Sequence, residues 1–120
     1  MLTSIASGLA IALNLVIIFI GVRFLVAPQA AAAACGVPAR EVAFLSVKGV
    51  RDLSYGLIGL ALLAFVGATA GAWFMLVVAL VPLGDMLIVL RNGGTKATAF
   101  GIHFATAVTV LISAALLFAL

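Results

Sequence analysis

Asp85, His103, Tyr55 and Asp52 are the side chains in this 120-residue chain that could move a proton. A carboxylate beside an imidazole makes a general-base or proton-relay pair, with a working pKa set by burial and mutual charge. The Tyr55 phenol could orient or protonate a substrate oxygen. Arg51, Arg23, Lys48, Asn14 and Thr106 are the residues able to bind such a substrate, by charge or by hydrogen bonding. Each also has a plainer role. Asp85 could form an interior salt bridge with Arg51 or Arg23, which holds helices in register and is costly to break. His103 could donate to a Thr or a backbone carbonyl. Arg51-Asp52 could be an interfacial anchor and its neighbour. Asn14 could make one interhelical hydrogen bond, worth about 1 kcal/mol.

Several chemistries are excluded. One His and two Asp are too few for a metal cage, so no metal site is expected. A single His cannot supply the paired axial ligands of a membrane cytochrome. Cys35 is alone, which rules out an internal disulfide and a CxxC pair. No Gly-rich loop argues for nucleotide chemistry, and no motif argues for a covalent nucleophile. No cofactor is expected. No basic run is interleaved with aromatics, so nucleic-acid binding has no support.

The elements that must position these groups follow from composition. Hydrophobic residues make up 68% of the chain and charged residues 8%. Soluble domains have about 25% charged residues, so this is not one, and disorder requires low hydrophobicity. Met1–Val22, Leu53–Gly84 and Ala97–Leu120 carry no charge over 22, 32 and 24 residues. A membrane span takes about 20 apolar residues. The first and third tracts hold one span each. The second is interrupted near Gly67-Ala68-Thr69-Ala70-Gly71 and reads as most of two helices. The expected fold is therefore all-α: a single integral-membrane four-helix bundle over 1–120, with helices at about 4–26, 38–66, 72–90 and 96–119.

Helix 1 stops at Pro28. Pro38 is placed to open helix 2, with Glu41 in its first turn where the dipole favours an anion. That helix would be roughly 43 Å long, so residues 29–50 would lie on the membrane or project from it, with a bend permitted at Gly49. Helix 3 contains Pro82, which frees a carbonyl and can kink it. Arg91-Asn92-Gly93-Gly94-Thr95-Lys96 is a turn, and Thr95 or Lys96 opens helix 4. The apolar N-terminal run lacks a basic n-region and is longer than a signal core, so it reads as a span.

All six basic residues fall at one end: Arg23, Arg40, Lys48 and Arg51 at the first connection, Arg91 and Lys96 at the third. The positive-inside rule makes that end cytoplasmic, which places both termini on the other side and Trp73 at the opposite interface. Asp85 then lies roughly 9 Å deeper than Arg91, and His103 roughly 10 Å deeper than Lys96. Tyr55 reaches about the same depth. Lys48, Arg51 or Asp52, and Tyr55 share a helical face, as do His103, Thr106, Val110 and Ser113. Gly56 and Gly59 permit close approach of another backbone. Ionisable groups inside a membrane normally face the bundle interior, so three helices can aim a carboxylate, an imidazole, a phenol and a guanidinium at one place.

The segments Gly21-Val22-Arg23-Phe24-Leu25 with Pro28, Lys48-Gly49-Val50-Arg51-Asp52, Pro82-Leu83-Gly84-Asp85 and His103 resemble a family of small four-helix membrane proteins of unknown function, near the broader DoxX-like group. The resemblance covers nearly the whole chain and implies the four-helix fold without an activity. In chemistry and environment, though not in sequence, the polar layer is also similar to integral-membrane isomerases and terpene-type cyclases. The expectation is an inner-membrane, multi-pass protein with a cytoplasm-facing polar pocket. It would act as an acid/base isomerase or cyclase on a lipophilic small molecule, with the bilayer as its partner and homo-oligomers permitted. The alternatives are a small dimeric transporter and a structural or assembly subunit. Against the transporter, helix 1 carries only Asn14 at mid-depth, where four-helix drug exporters carry an acidic residue.

Overall fold

The computed structural model describes residues 1–36 and 41–120. Pro38 and Arg40, expected to open the second helix and to join the basic end, lie outside the described residues. The described residues are helical with no strand. They form five helices where four were expected: α1 (Leu2–Val26), α2 (Pro28–Cys35), α3 (Val42–Phe65), α4 (Ala68–Arg91) and α5 (Lys96–Phe118). Of these, α1, α4 and α5 are long and apolar enough to cross a membrane. Lys48, Arg51 and Asp52 add charge to the first half of α3.

The additional helix is α2. Ala27 precedes a proline, which disfavours helical backbone there, so α1 ends. Pro28 then begins α2, where its missing N–H costs nothing. A run of five alanines carries α2 to Gly36, whose left-handed φ of 71° closes it. Read from sequence, this Ala-rich segment was only a connection. Its tertiary contacts make it a short cap: Ala31 and Ala32 are buried with Phe24 and Leu45, and Gly36 sits against Thr98 and Val89.

The α3–α4 turn is tighter than expected. Gly67 takes φ 132° and donates to the Leu62 carbonyl at 2.8 Å. Ala68–Gly71 then form the first turn of α4 instead of breaking the chain, and Gly71 packs under Leu63. Thr95 opens α5 as expected, its hydroxyl accepting from the Thr98 N–H at 3.1 Å.

Packing runs on small residues. The buried set includes Ala6, Ala10, Ala72, Ala79, Ala107 and Ala114, while Phe19, Phe44, Phe65 and Val77 stand exposed. Large apolar groups outside and small ones inside suit helices whose outer solvent is hydrocarbon and whose association rests on close backbone contact. The α1–α3 pair shows this most clearly. Leu45, Gly49, Asp52, Gly56 and Gly59 are the buried residues of α3. Gly21 of α1 lies against the Gly49 carbonyl and the Leu53 backbone, and Gly56 lies against the Asn14 carbonyl and Ile18. One Asp thus sits in a seam of glycines.

Candidate functional site

The four long helices enclose a cavity of about 140 Å³. This is close to the roughly 150 Å³ of an engineered apolar cavity that admits benzene. Its body is apolar: Leu13, Ile17 and Ile20 from α1, Phe74, Val78 and Val81 from α4, and Val110 from α5. Asn14 and Met75 add a weakly polar patch. Lys48, Asp52, Tyr55, Asp85, His103 and Cys35 supply the rest of the polar lining. Val16, Ile102 and Thr106 line the cavity and are also exposed outside the bundle. At those points one side chain is both cavity wall and outer surface.

Seven of the nine residues expected at the site line this cavity: Asp85, His103, Tyr55, Asp52, Lys48, Asn14 and Thr106. Arg51 and Arg23 do not. Arg51 lies outside, its Nε 3.6 Å from Asp52 Oδ1 and its guanidinium 6.0 Å from the centre of the Tyr55 ring. Ser113, on the same stripe as His103, is fully buried away from the cavity, and its Oγ has no hydrogen-bond partner among the described residues.

The carboxylates have different surroundings. The Lys48 ammonium donates to Asp52 Oδ2 at 2.9 Å, one helical turn away. It stands 3.7 Å from Asp85 Oδ2 and 5.0 Å from the centre of the Phe24 ring. The interior salt bridge is real, but its cation is Lys48, where Arg51 or Arg23 was expected. Asp52 is 0% exposed and firmly paired at Oδ2, while its Oδ1 has no hydrogen-bond partner among the described residues. Asp85 is 18% exposed. Its ammonium neighbour lies beyond hydrogen-bond distance, so this carboxylate faces the cavity with acceptor capacity to spare.

His103 is bonded to α2. Its Nε2 lies 2.8 Å from the Cys35 carbonyl oxygen. A carbonyl only accepts, so Nε2 carries a proton and donates it. That carbonyl is one of the last in α2, which the helix itself cannot satisfy. The simpler expectation for His103, a bond to a carbonyl, is therefore met across 68 residues of sequence. Its relay partnership with Asp85 is not a direct bond, although both line the cavity. The local backbone is a π-turn over Ala99–Phe104, which buries His103 while Phe100, Ile102 and Phe104 face outward. Single π-turns within α-helices are frequent at functional sites.

Asp85 is set by Pro82, one turn before it. Pro82 has no N–H for the Val78 carbonyl, and α4 is broken at Ala79 just ahead of it. Asn14 turns its amide N–H to the Ala10 carbonyl at 2.8 Å and towards Met75 Sδ at 3.8 Å, while Gly59 makes room beside it. Thr106 donates to the Ile102 carbonyl at 2.6 Å. Among the described residues no three His, Cys, Asp or Glu side chains converge to hold a metal ion.

Cys35 is the polar lining residue that sequence reasoning missed. The signal was present: five alanines and a following glycine mark a short capped helix, though not where it folds. Burial pushes the Cys35 thiol up in pKa, with Lys48 pulling partly back.

Residues 14–117 match the family described as a domain of unknown function, DUF4267. The chain belongs to that family. Searches of curated proteins and of solved structures find no match. The expected kinship with small proteins of unknown function agrees with this; nothing here ties the chain to the DoxX-like group.

Proposed function

We propose that this member of the DUF4267 family is a four-span membrane protein that binds a small lipophilic molecule in its central cavity and moves a proton on it. In this reading α3 is the fourth span. Its 24 residues reach about 36 Å, and its buried carboxylate is paired by Lys48. The basic end faces the cytoplasm, both termini lie on the opposite side, and the host is the cell's inner membrane.

The observation that carries the reading is the cavity itself: benzene-sized, apolar in body and furnished with one under-used carboxylate. An apolar cavity of this size suits a single ring or a short branched chain rather than a whole lipid. The exposed wall at Val16, Ile102 and Thr106 lies on a surface that lipid would cover, so a ligand dissolved in the bilayer has a short path inward. Asp85 is the acid/base group. It takes a proton from the bound molecule and returns it at another atom, the pattern of an isomerisation or cyclisation. Tyr55 supplies the second proton-carrying group, and the Lys48 ammonium stands 3.7 Å from Asp85. Asp52 belongs to the structural pair.

Native mass spectrometry of the detergent-purified protein, with stepped collisional energy, tests this. The expected result is a reproducible small lipophile, lost in an Asp85→Asn variant that still folds. Protein that is empty in every preparation would overturn the reading and favour an assembly role.

A further inference from the structure

We infer that the ligand of this cavity is a small lipophilic alcohol, a neutral molecule whose head group donates a hydrogen bond. The inference rests on the cavity-binding reading above and adds the chemical class of its occupant.

The argument is a count of donors and acceptors around the cavity. Most of the donors are hydrogen-bonded or held by charge. Lys48 gives one N–H to Asp52 at 2.9 Å, and the rest of its charge is turned to Asp85 at 3.7 Å and the face of Phe24 at 5.0 Å. His103 spends Nε2–H on the Cys35 carbonyl. Thr106 spends its hydroxyl proton on the Ile102 carbonyl. Asn14 spends its amide N–H on Ala10 and Met75. The acceptors are not committed. Asp85 lines the cavity with its nearest cation, Lys48, 3.7 Å away, and behind it Asp52 Oδ1 is buried without a hydrogen-bond partner among the described residues. Tyr55 and, more weakly, the Cys35 thiol can act either way. A ligand that only accepts, such as a ketone or ether, would compete with two carboxylates for the remaining Lys48 N–H bonds, and would otherwise find the Tyr55 hydroxyl and the weak Cys35 thiol. A hydroxyl would meet a carboxylate and form a charge-assisted bond.

Charge decides between a hydroxyl and an ammonium. Lys48 and Arg51 stand within 4 Å of Asp52, and Lys48 also within that distance of Asp85. Two cations already balance two carboxylates. An added ammonium would leave an unbalanced positive charge in a low-dielectric interior, which is costly. A neutral donor adds none. The volume of about 140 Å³ then limits the body to roughly one ring.

The test uses four probes of one shape: cyclohexanol, cyclohexanone, cyclohexylamine and methylcyclohexane. Each is titrated against the whole protein in lipid nanodiscs, and saturable stabilisation against heat is read. Cyclohexanol should bind about ten- to a hundredfold more tightly than cyclohexanone, as expected for one hydrogen bond to a charged group. It should also outbind the amine and the hydrocarbon. In Asp85→Asn, whose amide can donate, the alcohol-to-ketone preference should shrink or reverse. Equal or tighter binding of the ketone or the hydrocarbon overturns the inference and leaves the cavity reading standing. Tightest binding by the amine also overturns it and shows the site to be anionic. Binding of none of the four overturns both.

Discussion

Replacing Lys48 by Met would leave Asp52 as an unpaired carboxylate in the α1–α3 seam. The side chain of Asp52 is 0% exposed and its Oδ1 is already without a hydrogen bond, so the 2.9 Å contact to Lys48 is its main compensation. Breaking one partner out of a buried pair costs about 3–5 kcal/mol. Arg51 stands 3.6 Å from Oδ1 and could move closer, which sets the expectation at the lower end, about 3 kcal/mol. Methionine keeps most of the lysine stem's volume, so lost packing is a small part of the effect. Removing the carboxylate as well separates charge from packing. Asp52→Ala keeps the Cβ that position 52 already places in the seam and removes only the carboxylate. The double variant Lys48→Met/Asp52→Ala should regain at least about half of the loss, because a missing ion pair costs less than a broken one. The assay is reversible unfolding in mixed micelles by titrated dodecyl sulfate, followed by far-ultraviolet circular dichroism. A Lys48→Met variant as stable as the parent, or a double variant less stable than the single, would refute the account of the seam.

Four further outcomes follow. Gly56→Ala should destabilise by about 2 kcal/mol or more, since its Cβ would meet the Asn14 carbonyl at 2.6 Å and Ile18; Gly8→Ala, with nothing within 4 Å, should be neutral or stabilise by up to about 1 kcal/mol in the same titration. His103→Ala removes the bond to the Cys35 carbonyl and should raise the rate at which a maleimide labels Cys35, whereas an unchanged rate would show that the bond does not hold α2 in place. Because burial raises the Cys35 pKa, the thiol stays protonated to higher pH than a free cysteine; its labelling rate should keep climbing with pH after that of a free thiol levels off, and a plateau shared with the free thiol would contradict that environment. Cysteines placed at Thr3 and Lys96 in a Cys35→Ala background should label from opposite sides of right-side-out cells and inverted vesicles; labelling from one side would overturn the proposed orientation.

Much of this protein was legible without coordinates, because long apolar tracts leave few structural choices. Long charge-free tracts can only be apolar helices, a proline must end or bend one, and a threonine before Lys96 caps the next. Those constraints are local, and the structure follows them at Val26, Ala79 and Thr95. Helical periodicity likewise put Lys48, Arg51 or Asp52, and Tyr55 on one face and His103, Thr106, Val110 and Ser113 on another; all of these but Arg51 and Ser113 line the cavity. Partner choice depends on the space between helices, which periodicity cannot encode. Lysine, with its long flexible stem, reaches both Asp52 and Asp85 and displaces the arginines expected there. The carbonyl that holds His103 belongs to α2, an element made stable by burial against Phe24 and Leu45 rather than by its own short length. The helices, and the faces of them that carry chemistry, are set by neighbours one turn away and so can be read from residue order. Which carboxylate is spent on a lysine and which still faces an open cavity depends on distances between chain segments far apart in sequence, and so emerges only in the packed fold.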